Sequence, residues 1–86
     1  MNYRLSHHAQ QTMQQRRISS ALLDSVLQQP QQIVPEPGGR KAYQSQLDFG
    51  GGNVFLLRAI VVDDVDPAIV VTVYRTKKIS KYWSTS

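Results

Sequence analysis

The spacing of apolar positions changes twice along this chain, and each change marks a different element. Leu5, Ala9 and Met13 recur at every fourth residue among Gln, Thr and Arg. That period predicts a helix over residues 5–17 with a narrow apolar stripe. Leu22, Leu23, Val26 and Leu27 give a wider stripe and predict a second helix over residues 19–29. Ser19 or Ser20 can accept a backbone N–H bond at its start, and Pro30 ends it by disfavouring α geometry at Gln29. From Lys41 the period becomes two: Tyr43, Ser45, Leu47 and Phe49 point one way, Gln44, Gln46 and Asp48 the other. The run VFLLRAIVV is apolar on both parities and predicts a central strand, and AIVVTVYRT predicts its return. Gly50-Gly51-Gly52 and the segment Asp63–Pro67 supply the turns. Between the halves, QQIVPEPGGRK has two prolines and two glycines, room for a short edge strand at most. The plan is a single α+β domain over residues 1–86, with two N-terminal helices packed on one face of a three- to four-stranded antiparallel sheet.

Hairpin geometry refines this plan. A turn centred on Val65 sets Val62 opposite Ala68, Arg58 opposite Thr72 and Leu56 opposite Tyr74. Opposed residues share a face, so Arg58, Thr72 and Tyr74 form one polar cluster, which a one-residue slip would separate. The register across the glycine turn is open, and with it the face on which Tyr43 lies. On the helical wheel His7 lies opposite the stripe of Leu5, Ala9 and Met13, whereas His8 lies about 100° away, at its edge. His8 is therefore the imidazole expected to reach the sheet.

Size and composition bound the rest. An 86-residue chain buries roughly 60–65% of the surface its unfolded form exposes. Without cysteine the thin core is held by packing alone or by packing shared with a partner, a homodimer included. The absence of cysteine suits a reducing cytoplasm. No apolar signal region opens the sequence, and the apolar runs at 54–62 and 68–74 are too short to span a bilayer, so neither export nor a membrane is expected. A net charge of +4 and a pI near 9.8 favour polyanionic partners: RNA, DNA or an acidic protein.

Several residues then demand an explanation, each with a structural alternative. Arg58 interrupts an apolar strand and must pair or snorkel, with Asp48 or Tyr74 as structural partners. Thr72 is a β-former in any case, and Tyr74 suits an amphipathic core position. Arg16, near the end of the first helix, suits the helix dipole and a pairing with Asp24. Asp63, Asp64 and Asp66 read as a turn rather than a cation site. Lys77, Lys78 and Lys81 with Tyr82 and Trp83 suit RNA or a protein partner, or else a solvated tail with Trp83 folded back on the sheet.

Taken in order, His8-Ala9, Met13, Arg16, Ile18-Ser19, a Leu-rich helix ending at Pro30, then Arg40, Tyr43, Leu57-Arg58 and Val71-Thr72-Val73-Tyr74 resemble an uncharacterised bacterial domain-of-unknown-function family allied to RelE/ParE-like and BrnT-like toxins. The resemblance covers nearly the whole chain. It implies the compact fold of small ribonuclease toxins and a toxin–antitoxin pair, in which a cognate antitoxin protein covers an endoribonuclease that needs neither metal nor other cofactor. The family pattern commonly has Arg where this chain has Thr12, and Gly where it has Arg17. Thr12 cannot grip a phosphate as a guanidinium does.

Metal-independent RNA cleavage needs a proton carrier, a leaving-group acid and cations around the phosphorane, and yields a 2',3'-cyclic phosphate. On that reading His8 is the general acid or base, Arg58 and Arg40 clamp the phosphate, and the hydroxyls of Thr72 and Tyr74 position phosphate or sugar. Lys41, Lys77 and Lys78 bind RNA, and Tyr43 stacks on a base. The alternative is a non-catalytic binding module of the same fold that docks an acidic protein or a nucleic acid, with Arg58, Thr72 and Tyr74 as a structural network.

Overall fold

A computed structural model describes residues 1–85. The chain runs β1 (Tyr3–Leu5), α1 (His7–Arg16), α2 (Ser20–Gln28), β2 (Gln32–Glu36), β3 (Arg40–Asp48), β4 (Val54–Val62), β5 (Ala68–Thr76) and α3 (Ile79–Tyr82), with a 3-10 turn at Pro37–Gly39. The five strands form one sheet in the order β1-β5-β4-β3-β2. β1 runs parallel to β5, and every other pairing is antiparallel.

The α+β class and the two N-terminal helices match the sequence reading. The sheet is larger than that reading and mixed rather than antiparallel. The difference at the N-terminus is made by Ser6. Its extended backbone (φ −67°, ψ 162°) and its hydroxyl, which accepts from Ala9 N–H at 3.0 Å, make it an N-cap, so the helix begins at His7. The residues before it instead complete the free edge of β5: Ser6 N–H donates to Val70 O at 2.9 Å and Ala68 N–H to Asn2 O at 3.0 Å. Leu5, read as helical, is therefore the last residue of a strand too short to show a period of its own. At the other edge, the proline-bearing segment forms β2, where Pro35 lacks an N–H and an outer strand tolerates it.

Arg17 follows α1 in the left-handed region (φ 55°), the conformation for which glycine is suited. Its N–H donates to Gln14 O at 3.4 Å and Ile18 N–H to Met13 O at 2.9 Å, so two of the last helical carbonyls are satisfied while Ile18 turns into the core. The glycine expected at this position from the family pattern thus corresponds to a real backbone demand. Ser19 caps α2, its hydroxyl accepting from Leu22 N–H at 3.1 Å.

The core lies between the two helices and one face of the sheet. Ala9 and Met13 of α1 and Leu23, Val26 and Leu27 of α2 pack with Tyr43, Leu57, Ala59, Val61, Val70 and Val73. The opposite face carries Ala42, Gln44, Leu56, Arg58 and Ile60, and these too are buried. The segment after β5 turns back over this second face, and Gln32 of β2 exchanges two hydrogen bonds with the backbone of Ser84, at 2.6 and 3.0 Å. The C-terminal segment is a second layer, as in the reading that folds the tail back on the sheet, with its contacts running through Tyr82 and Ser84.

The hairpin register departs from the Val65-centred turn. Val62 pairs with Ile69, one residue beyond the predicted partner, and a bulge between Ile60 and Val61 shifts the register by one more, leaving Val71 unpaired. The two shifts act in the same sense and together restore parity. Arg58, Thr72 and Tyr74 therefore share a face as predicted, but Arg58 lies opposite Tyr74 and Ile60 opposite Thr72. The bulge is anchored by Ser6, whose hydroxyl donates to Val71 O at 2.7 Å.

Candidate functional site

Arg58 is the hub of the second face. It is 2% exposed, and a buried guanidinium is tolerated only where its donors are met. Nε donates to Gln44 Oε1 at 2.8 Å, Nη1 donates to the Tyr74 hydroxyl, and Nη2 pairs with Glu36 Oε2 at 3.2 Å. The guanidinium also lies over the Tyr82 ring, 4.2 Å from its centroid, where the π face adds attraction for the cation. Gln44 passes the network on by donating to Gln32 Oε1 at 2.9 Å and to Tyr82 O at 3.1 Å. Four strands and the C-terminal segment thus meet on one cation, and no buried polar side-chain atom among the described residues lacks a partner. Burial raises the Tyr74 phenol above its ordinary pKa, outweighing the pull of Arg58 in the other direction.

The expected catalytic set is only partly brought together. Arg58 and Tyr74 are in contact, and Thr72 lies on the same side, half-buried and two pairs further along. His8 is exposed on α1, whose buried residues pack on the other face of the sheet. His7 and His8 are both exposed, so the separation expected from the wheel is not seen, and the element carrying His8 covers the wrong side of the sheet for any approach to Arg58. His7 accepts or donates a contact of 3.2 Å with Gln11.

Tyr43 also lies on the helical side. It is 8% exposed and cannot stack on a base; its hydroxyl donates to Asp63 Oδ2 at 2.7 Å. Burial, the larger cause, and this carboxylate push the phenol up to about 12. In return the Tyr43 hydroxyl, with Lys41 at 3.2 Å, holds the Asp63 carboxyl below its ordinary value. Lys41 pairs with the acidic turn while its side chain stays half-exposed. Arg40 is exposed at the start of β3, on the strand parity of Gln44. Among the described residues no group of three or more His, Asp or Glu side chains is arranged to hold a metal ion.

Two pairings considered from the sequence are replaced by others. Asp48 does not meet Arg58 but accepts from Gly50 N–H at 2.7 Å, closing the glycine turn. Asp24 accepts from the Tyr3 hydroxyl at 3.1 Å and from Gln28 at 3.3 Å rather than pairing with Arg16.

The distribution of charge along the chain singles out the C-terminal cations that the sequence reading set beside Tyr82 and Trp83. Residues 1–66 hold all six acidic residues and six of the ten Lys and Arg, so the whole net charge of +4 comes from Arg75, Lys77, Lys78 and Lys81. None of these four is in an ion pair; the two ion pairs of the described residues are Lys41–Asp63 and Arg58–Glu36. Aromatic rings accompany them instead. Arg75 lies over Phe49 and Phe55, 4.6 and 5.0 Å from the ring centroids, Lys77 is 5.3 Å from the Phe55 centroid, and Lys81 is 5.2 Å from that of Tyr82. Lys77 and Lys78 were expected to bind RNA, and both are exposed here. Phe49, Phe55 and Arg75 were missed, although two phenylalanines flanking a glycine turn are a visible signal.

An open groove of about 310 Å³, lined by Leu5, Gln10, Met13, Gln14, Ile18 and Ser20, lies where α1 meets the start of α2. Its lining carries no titratable group, so it offers no acid–base chemistry. No helix of the described residues is long and apolar enough to cross a membrane.

Comparison with known proteins adds one finding. The profile of the family described as "Domain of unknown function (DUF4258)" matches residues 5–75. No curated protein and no solved structure matches the chain.

Proposed function

The chain belongs to the DUF4258 family, and from that premise we propose that it is a binding module for RNA, held by a basic stripe that wraps the end of the sheet, from Arg75 on the helical side through Lys77 and Lys78 to Lys81 beside Tyr82 over the second face. The observation that carries this reading is the unneutralised charge of the stripe, set beside Phe49, Phe55 and Tyr82. Cations without protein counter-ions release the counterions of a nucleic-acid backbone on binding, and rings beside them offer surfaces to its bases. Arg58 has a different role in this proposal. With Gln44, Tyr74, Glu36 and Tyr82 around it, it holds the C-terminal segment in place. The stripe is thereby presented by a rigid support.

The toxin reading, an endoribonuclease covered by an antitoxin, would use the same stripe to receive RNA but would add cleavage. It needs His8 and Arg58 to act on one phosphate, and they belong to opposite sides of the sheet. Binding without cleavage is therefore the preferred function.

The test is incubation of purified protein with a labelled RNA in chelator, followed by native and denaturing electrophoresis of the same samples. A retarded band with the RNA intact is the expected result. Chelator-resistant cleavage lost in His8→Ala would instead establish the enzyme, and no retardation at low salt would remove both readings.

A further inference from the structure

The rings beside the stripe are not scattered. Phe55 on β4 faces the helical side of the sheet, opposite Leu47 and next to Leu57. Arg75 on β5 pairs with Leu57, and Lys77 follows directly after the Leu56–Thr76 pair that ends the ladder. Phe49 stands just beyond β3, its ring 5.3 Å from that of Phe55 and at 84° to it. An edge-to-face pair of rings, a guanidinium over both and an ammonium beside one thus converge from three strands at the glycine-turn end of the sheet. Both rings are only partly buried, and Val54 alongside is 43% exposed.

We infer that Phe49, Phe55 and Arg75 form a stacking site for one nucleobase of a single-stranded RNA, with Lys77 on the adjoining phosphate. This rests on the RNA-binding reading and adds strandedness to it. Rings and a guanidinium plane accept the π face of an unpaired base. The rings gain nothing from a duplex, where base faces are stacked on one another. Arg75, which has no ion-pair partner among the described residues, fits this occupant as well, because a guanidinium not held by a carboxylate stacks on a base and still reaches a phosphate oxygen. An acidic protein segment would engage the lysines equally but would leave the ring pair without a role.

The experiment measures binding by fluorescence anisotropy at low salt with three probes of equal length, about ten nucleotides: a single-stranded RNA, its duplex, and an abasic strand with the same phosphates. Wild type is expected to bind the single strand roughly 5- to 150-fold more tightly than the abasic strand, the range that stacking of a base supplies. Phe49→Leu/Phe55→Leu keeps apolar side chains at both positions and should lose that preference while binding the abasic strand as wild type does. Should the double variant melt early, Arg75→Gln, on a half-buried strand position, is expected to narrow the same preference. Lys77→Gln/Lys78→Gln should weaken all three probes together. Equal binding of all probes by wild type, or a preference unchanged in both the phenylalanine and Arg75 variants, overturns the stacking site while leaving RNA binding intact. Failure of wild type to bind any probe overturns the binding reading itself, and with it the stacking site. A synthetic acidic peptide bound more tightly than the single strand would assign the surface to a protein.

Discussion

Replacing Arg58 with Ala removes three polar contacts at one stroke: those to Gln44 at 2.8 Å, to Glu36 at 3.2 Å and to the Tyr74 hydroxyl. It also empties a buried volume beneath the Tyr82 ring. Removing one partner of a buried ion pair costs about 3–5 kcal/mol, chiefly because the other charge is left uncompensated. Glu36 is a quarter exposed and can recover part of its hydration, so the lower end, about 3 kcal/mol, applies. An 86-residue domain has roughly 4–13 kcal/mol of stability in all. The loss therefore lowers Tm by about 12–24 °C at this size. Arg58→Lys keeps the charge but cannot reach three acceptors as a fork does, and should fall between wild type and Arg58→Ala. Urea and thermal unfolding followed by circular dichroism measure both. A loss under about 1 kcal/mol in Arg58→Ala, no more than an ordinary surface change, would refute the hub, and would refute it doubly if RNA cleavage vanished with the fold intact.

Three further outcomes follow from single contacts. Arg17→Gly relieves a left-handed backbone (φ 55°) and should raise stability by roughly 0.5–1 kcal/mol after the entropy cost of glycine, read as a Tm rise of a few degrees. Tyr43→Phe removes the main cause that lowers the Asp63 carboxyl, so NMR titration should find Asp63 moved upward. The lowered value adds stability above the unfolded carboxylate pKa of about 3.9 that is lost as pH falls through the folded value, and this acid limb should shrink in the variant. Tyr43 itself, raised to about 12, contributes below the unfolded pKa of about 10 and loses that contribution as pH rises toward 12, an alkaline limb that Tyr43→Phe should abolish. Gln32→Leu cuts both bonds to the Ser84 backbone. Trp83, the single tryptophan, should then show red-shifted emission and readier quenching, with the fold otherwise retained.

Periodicity carried most of the fold. The stripes of both helices, the cap at Ser19, the alternation from Tyr43 to Phe49 and the two apolar strands are local signals, and local signals survive without knowledge of tertiary partners. What escaped depended on long-range closure. β1 exists because β5 has a free edge and Ser6 is a better cap than a helical residue. The contacts of the C-terminal layer exist because Gln32, Gln44 and Arg58 need partners that only Tyr82 and Ser84 bring. The polar face was legible for a narrower reason. The turn placed one more residue than expected and the bulge at Val71 another, so two errors of one residue left side-chain parity unchanged. The wheel set His8 at the edge of a stripe that included Leu5, which lies outside the helix, and a wheel cannot say which side of a sheet its helix covers. Glu36 was hidden among prolines and glycines that read only as a turn, which is why the main counter-charge of Arg58 was not named.

On the proposed function, binding resides in the stripe at residues 75–81 and not in the buried arginine. The most direct measurement is the affinity for a single-stranded RNA as a function of salt, comparing wild type with Lys77→Gln/Lys78→Gln/Lys81→Gln. With the four cations of the stripe on phosphates, log K should fall against log salt with a slope of about −3, and the triple variant should retain a slope of only about −0.7. A slope unchanged by the three substitutions, or no binding by wild type at low salt, would contradict the claim.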